Sequence, residues 1–417
     1  MNNACMEGAS VASLTEFNRS KIVRALYREG VCSRAHIARL VKLTPASVTQ
    51  ITGQLIDMGL VVEDGIAKGR GRRRAIGIKL NDELFRVIGV KFARSRTEIG
   101  MFTINGHFVS KRDDYVFWDY DSSVDVHRII DQVKRWILHK IAQTPSIAAV
   151  GIAIPGPFLR DEGRIAVVTG ARAWSAVNFK EEFDGVFPVP VYLEHDARAG
   201  VLAQSLWSPG NRHIGDLAYL LAGDGVGLGV LSKEGFINGA NGLATEIGHV
   251  SIDAIHGKPC ECHGRGCLEQ YCSIRAMRAL IEERCPQLIA DIPQFGDRDK
   301  CIRVFDAAHA GNPQARDVVE TIATYLGYGC VTIINGYNPS RIVIGDFMAR
   351  GKDLLLDRVR SVARRFAMAG LAERTDIVLT DLGEDPVLCG AGAVAVEAIL
   401  SHPTEFAERA QGGSAKV

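Results

Sequence analysis

Between Glu246 and Glu269 the chain places one histidine and three cysteines, His249, Cys260, Cys262 and Cys267, flanked by two carboxylates. Imidazole and thiolate are ligands that zinc favours, and four of them complete its tetrahedral shell. Gly257, Pro259, Gly264 and Gly266 give the backbone the tight turns such convergence needs. A shell closed by four protein ligands leaves no position for a reactive water, so the zinc expected here is structural. The competing reading is a group of buried cysteines that fall close in sequence. The C-x-C-x4-C spacing with a nearby histidine favours the metal.

The elements that must position this stretch follow from the residue pattern around it. From Phe85 the chain reads as strands: 86–92, then 97–104, a turn at Asn105-Gly106 and a further strand. A helix is expected around 124–142, followed by the buried run 147–154. Downstream, 274–284 and 315–327 read as helices, 341–345 as a strand, and Gly390 begins a closing helix. Strands alternating with helices predict an α/β body.

The chain has 417 residues, enough for two or three domains. Its net charge of +1 hides an asymmetry. Residues 1–80 carry thirteen Lys/Arg against six Asp/Glu, a charge of +7, so the remainder is −6. A basic head on an acidic body points to a polyanionic partner for the head. No apolar run has the length of a membrane span, and residues 1–14 lack the pattern of a secretion signal. Ten cysteines in a chain this long fit a reducing cytoplasm, so a cytoplasmic location is expected.

The head is expected to begin after a disordered stretch, 1–14. Ile22, Val23, Leu26 and Tyr27 recur at helical spacing, and Gly30 ends that helix. Ser33 can cap a second helix carrying Ile37, Leu40 and Val41 inward. Thr44-Pro45 starts a third, on which Val48, Ile51 and Leu55 share one face. Ala46, Ser47, Thr49, Gln50 and Gln54 lie on its other side, where hydroxyls and amides suit base edges in a major groove. Two strands, 60–64 and 75–80, then form a wing whose tip carries Lys68, Arg70, Arg72, Arg73 and Arg74 among glycines, suited to phosphates. The pattern predicts a winged helix-turn-helix over 15–80 that binds double-stranded DNA. A small helical interaction module with a solvated basic loop is the alternative.

E-x-G-H at 246–249 followed by C-x-C-x-x-x-G-C-x-E at 260–269 resembles the signature of the ROK family, which joins sugar kinases and sugar-responsive repressors. The likeness covers nearly the whole chain. It implies a two-lobed actin-like (sugar kinase/ribonuclease H-like) body over 81–417, with the lobe change near 197–205 and the last helix returning to the first lobe. It also implies that Glu246 and Glu269 bind sugar hydroxyls, and that zinc on His249 and the cysteines fixes the loop carrying them. Gly151-x-x-x-Pro155-Gly156-Pro157 matches a turn of the family's cleft wall. Glu194-His195-Asp196-Ala197 resembles its E-N-D-A motif, which places His195 and Asp196 in the sugar site. In the kinases that aspartate is the general base; here, with the first phosphate loop altered, Asp196 is expected to remain as an acceptor for a sugar hydroxyl, and a surface or helix-capping carboxylate is the alternative.

Other family elements are altered. Lys91-Phe92-Ala93-Arg94-Ser95 stands where the kinases have D-x-G-G-T, so an acid has become a cation and two glycines have gained side chains. Phosphoryl transfer depends on positioned phosphates and metal, so no kinase activity is expected. N-L-x-G-W is only partly kept over 170–174, and Trp174 is open between core and pocket. Gly223, Gly225, Gly227 and Gly229 match the second phosphate loop, or serve the fold as a glycine-rich turn.

Such a head with such a body predicts a DNA-binding regulator, a repressor of carbohydrate genes, answering to a sugar or sugar phosphate and acting as a homodimer or homotetramer. The alternatives are a bifunctional sugar kinase and a regulator controlled by a protein partner.

Overall fold

The computed structural model describes residues 11–66, 76–94, 96–109, 115–119, 125–166, 172–292, 296–383 and 385–412. The head begins with helix α1 (Val11–Glu29), strand β1 (Cys32–Ser33), α2 (Arg34–Val41) and α3 (Pro45–Asp57). Strands β2 (Val61–Ile66) and β3 (Ile76–Leu80) follow, and the three strands form a sheet in the order β1-β3-β2. Gly30 and Gly59 stop α1 and α3 in left-handed conformations, at φ 70° and 75°. Thr44 caps α3 by accepting from Ser47 N, with Pro45 in the first turn. Ser33 caps α2 in the same way.

Two expectations are corrected here. Helix α1 starts at Val11, inside the stretch expected to be disordered, because Glu16 accepts hydrogen bonds from Thr404 N and Oγ1 and ties the first turns to the C-terminal helix. Leu40 faces outward at 45% exposure, and Ala38 packs inward beside Ile37 instead.

The body opens with β4 (Arg86–Phe92), β5 (Arg96–Thr103), β6 (Tyr115–Asp119), α4 (Val126–Gln143) and β7 (Ile147–Ile154). A small ribbon of β8 (Phe158–Leu159) and β9 (Arg164–Ile165), then α5 (Phe179–Phe183), leads to β10 (Val191–His195). Helix α6 (Asp196–Trp207) passes to a second sheet. That lobe contains β11 (Leu217–Ala222), β12 (Val226–Ser232), β13 (Gly235–Phe236), α7 (Glu269–Cys272), α8 (Ile274–Arg284), α9 (Asp297–His309) and α10 (Pro313–Tyr337). It closes with β14 (Arg341–Gly345), α11 (Lys352–Phe366) and β15 (Asp376–Leu379), and the chain then returns to the first sheet with α12 (Pro386–Ser401) and α13 (Pro403–Gly412).

The two five-stranded sheets run β6-β5-β4-β7-β10 and β13-β12-β11-β14-β15. Each is an antiparallel run of three strands extended by two parallel ones, so one topology occurs twice. Helices α6 and α12 lie between the sheets, and Ala197, Ala199, Val201, Val387 and Ala391 fill the space with small apolar side chains. Helix α12 starts at Pro386, four residues before the expected point, because Asp385 caps it through Val387 N and Leu388 N. Helix α10 extends to Tyr337. It has the length and apolarity to cross a membrane, yet more than half of its apolar stretch is buried in the second lobe.

One hydrophobic cluster runs from the head into the body, joining Ile22, Leu26 and Leu55 to Phe85, Val396 and Phe406. Polar bonds fix the same junction. Tyr27 Oη donates to Ile104 O at 2.9 Å, Ser20 Oγ donates to Leu400 O at 2.8 Å, and Arg24 pairs with Glu397. The head is therefore packed onto the first lobe and the last two helices, with no strand of independent linker between 80 and 85.

Candidate functional site

A cleft between the lobes gathers residues from eight separate stretches. On the second-lobe side, a 3-10 turn at Ile247–His249 follows Glu246, and α7 begins at Glu269. The loop between them folds back on itself through bridges Ser251–Cys267 and Pro259–Arg265. Gly266 adopts φ 71°, and a side chain there would meet Asp253 O at 2.0 Å. These turns bring His249, Cys260, Cys262 and Cys267 together, with all four ligand atoms within 4.8 Å of one another. His249 Nδ1 is 3.8 Å from Cys260 Sγ, and the Cys262 and Cys267 sulfurs are 3.5 Å apart. A tetrahedral ion with ligands at about 2.3 Å spaces its donors by about 3.8 Å, so this donor set could hold a metal ion.

His195 and Asp196 arrive from the first-lobe side, at the junction of β10 and α6. His195 Nε2 lies 3.0 Å from Asp196 Oδ1. Gly156 makes room for the ring, since a side chain there would lie 2.1 Å from Nε2. Asp196, the first residue of α6, also accepts from Ala197 N at 2.6 Å and lines the cleft. His195, Asp196, Glu246, His249 and Glu269 therefore face one space, of about 50 Å³. Water takes about 30 Å³ and ligand pockets about 300–1,000 Å³, so this cleft is nearly filled by its own side chains.

The charges in the cleft perturb one another. Burial lowers the His195 pKa, but Asp196, Glu246 and Glu194 outweigh it and leave the ring above its ordinary value. Burial raises the Glu246 carboxyl, helped by Asp196 and Glu269 and opposed by His195. A histidine with a raised folded pKa stabilises the fold fully below the unfolded pKa of about 6.5 and loses that contribution as pH rises through the folded value. His195→Asn should accordingly lose more urea resistance against the native chain at pH 5.5 than at pH 8.5. An equal loss at both would mean that the ring does not charge beside Asp196.

Lys91, Arg94, Asp224, Arg298 and Asp346 fill the rest of the cleft. Lys91, on β4, is 4% exposed; its ammonium donates to Asp385 Oδ2 at 2.5 Å and lies 4.0 Å from Asp346 Oδ2. Burial pulls the lysine pKa down, but Asp346, Asp385 and Glu98 push it above the ordinary value, so it stays charged. Arg94 donates to Asp224 O at 2.9 Å and reaches both Glu269 oxygens at 3.3 Å. Arg298 lies 3.3 Å from Asp224 Oδ1. The glycines at 223–229 are explained by packing: side chains at Gly223 and Gly225 would strike Asp346, Arg94 and Glu269, and Gly227 and Gly229 lie against Ala197. Trp174 is core, 1% exposed and stacked at 5.7 Å on Phe179 beside Phe92.

Sequence reasoning missed Asp224, Arg298, Asp346 and Asp385 as cleft residues. Asp385 carried a signal, since an acid before Pro386 marks a helix start. Asp346 carried none; it turns into the cleft through a left-handed backbone, φ 62°.

On the head, Ala46, Thr49 and Gln50 are exposed along the first turns of α3 and Ser47 is half-buried. Gln54 differs from the others, because its side-chain oxygen accepts from Arg19 Nη2 at 2.9 Å. Arg70, Arg72, Arg73 and Arg74 lie outside the described residues.

Two like-built lobes closing on a carboxylate-lined cleft define the actin-like class of sugar-kinase folds. The family model for the ROK family matches residues 87–398, and the chain belongs to that family. It is 26% identical over 394 residues to the xylose repressor of Caldicellulosiruptor bescii, covering 94% of this chain and 98% of that one. It is 28% identical over 397 residues to the DNA-binding transcriptional dual regulator NagC of Escherichia coli K12, covering 94% and 95%. A crystal structure of a ROK family transcriptional regulator, a homologue of the E. coli MLC protein, superposes with a TM-score of 0.77 at 23% identity, covering 96% of this chain and all of that one.

Proposed function

We propose that this chain is a cytoplasmic, sugar-responsive, DNA-binding transcriptional repressor of carbohydrate genes. The head over 15–80 is read as a winged helix-turn-helix, with α3 in the major groove and the 67–75 loop on the backbone. The body over 81–417 is read as its effector-binding part. The observation that carries this reading is the full-length likeness to repressors, head included, together with the exposed polar face of α3. Glu246, Glu269, Asp196 and His195 are assigned to sugar hydroxyls, which carboxylates accept from and a ring nitrogen can meet. The four-donor cluster is assigned a structural zinc, since a His/Cys3 set closes the shell.

Kinase activity is not part of this reading. An ammonium held by Asp346 and Asp385 stands where the family's kinases place an acid, a poor arrangement for a nucleotide's phosphates and metal. Oligomerisation as a homodimer or homotetramer follows from the paired half-sites such heads read.

Fluorescence anisotropy of the full chain on its own upstream DNA, titrated with D-xylose, D-glucose, N-acetyl-D-glucosamine and their phosphates, tests the reading. A sugar that changes DNA affinity at constant salt supports it; DNA binding that no sugar moves favours control by a protein partner. Gln50→Ala should cost about 1–3 kcal/mol at a single operator position and leave other positions unchanged. A uniform loss across operator variants would remove Gln50 from base reading.

A further inference from the structure

Glu269, one of the two carboxylates assigned to sugar, is already held on both oxygens by partners within the protein. Its side chain is 3% exposed. Both oxygens face the Arg94 guanidinium at 3.3 Å, and Oε2 accepts from Val226 N at 3.1 Å. Arg94 comes from the first lobe, just after β4, while Glu269, Asp224 and Val226 belong to the second. The arginine therefore bridges the lobes across the mouth of the cleft. Gly225 is shaped to this contact, since a side chain there would lie 2.8 Å from both Arg94 Nη2 and Glu269 Oε2. Lys91 makes a second link from the first lobe to Asp346 of the second.

We propose that Arg94 is an internal ligand of the effector cleft, which closes the lobes by holding Glu269 and must be displaced before an effector can reach that carboxylate. This rests on the reading of Glu269 as a sugar contact. The physical case is competition for one acceptor. A buried carboxylate that already accepts from a guanidinium on both oxygens and from an amide must give up part of that bonding to meet a sugar hydroxyl, and about 50 Å³ leaves no room for a sugar ring. Effector binding then has to break an inter-lobe ion pair, so it is coupled to the separation of the lobes. The two side chains that break the phosphate loop would thus serve a positive role, holding closed a cleft that phosphates do not close. Because the head packs on the first lobe and on α12 and α13, a change in lobe spacing reaches the DNA-binding end through a continuous core.

The test compares the full chain with Arg94→Ala, Arg94→Lys and Arg275→Ala. Arg275 lies 3.9 Å from Glu269 within the same lobe, so it changes the local charge without bridging the lobes. Hydrogen exchange without added sugar should be faster at 89–94 and 222–227 in Arg94→Ala, intermediate in Arg94→Lys and unchanged in Arg275→Ala. Equal protection in Arg94→Ala and the native chain overturns the proposal. Calorimetric titration with D-xylose, D-glucose, N-acetyl-D-glucosamine and N-acetyl-D-glucosamine 6-phosphate should give binding about 10-fold tighter in Arg94→Ala. Equal or weaker binding there also overturns it. If no sugar binds either form, the exchange result still decides the inter-lobe contact, and only the sugar reading of the cleft fails.

Discussion

Lys91→Ala is expected to destabilise the fold by about 3–5 kcal/mol, the cost of removing one partner from a buried ion pair. Lys91 sits between two carboxylates that are themselves buried. Burial pushes the Asp346 carboxyl up to about 6 even with Lys91 opposing it. Burial also raises Asp385, but the Lys91 charge and hydrogen bond and the Leu388 amide hold it below the ordinary value. Without the ammonium both acids lose their counter-charge in a dry site and favour their protonated forms. A carboxyl raised in the folded state costs stability as pH climbs through its folded pKa, and removal of Lys91 raises both acids further, so the deficit should be large at about pH 8 and smaller at about pH 5. Urea midpoints at the two pH values check this, with an unchanged slope confirming that one transition is compared. A Lys91→Met/Asp385→Asn double variant should recover much of the loss, since it removes two charges together. A deficit under about 1 kcal/mol at pH 8 would mean that water reaches the pair and screens it.

Cys262→Ser is expected to abolish stoichiometric zinc and to weaken the response to an effector by about 10- to 100-fold. Hydroxyl oxygen is a poor substitute for thiolate toward zinc, and three remaining donors do not close the shell. The effect reaches the cleft because the metal loop and the cleft carboxylates are the same stretch of chain. Glu246 stands three residues before His249 and Glu269 two after Cys267, so an ion held by the four donors would fix the distance between them. Elemental analysis of the purified variant and the sugar-dependent anisotropy titration provide the two readouts. Loss of zinc with an unaltered sugar response would separate the metal from the cleft. Full zinc content in the variant would remove Cys262 from the ligand set.

Much of the local structure was legible in the sequence because it depends on contacts within a few residues. Thr44-Pro45, Ser33, Gly30 and Gly59 mark the helix ends of the head, and the structure uses each of them. The run 147–154 reads as buried, and it forms an inner strand between β10 and β4, covered on both faces. Helix α10 was read short because Gly327 and Gly329 are poor helix formers. They are tolerated where Val362 and Leu268 approach too closely for a side chain, which only packing reveals. The duplicated sheet topology is visible only in the structure, where the two lobes join the same strand order with different helices and loops.

The sequence by itself determined the metal-type donor set, since a histidine and three cysteines with tight turns between them can converge through local chain geometry alone. It also determined the head's helix order. Only the tertiary structure decided what Lys91 and Arg94 meet. Lys91 meets Asp385 across 294 positions and Arg94 meets Glu269 across 175, and no local pattern encodes such pairs. They arise because a cation buried at a lobe boundary must find carboxylates, and the fold alone fixes which ones lie within reach.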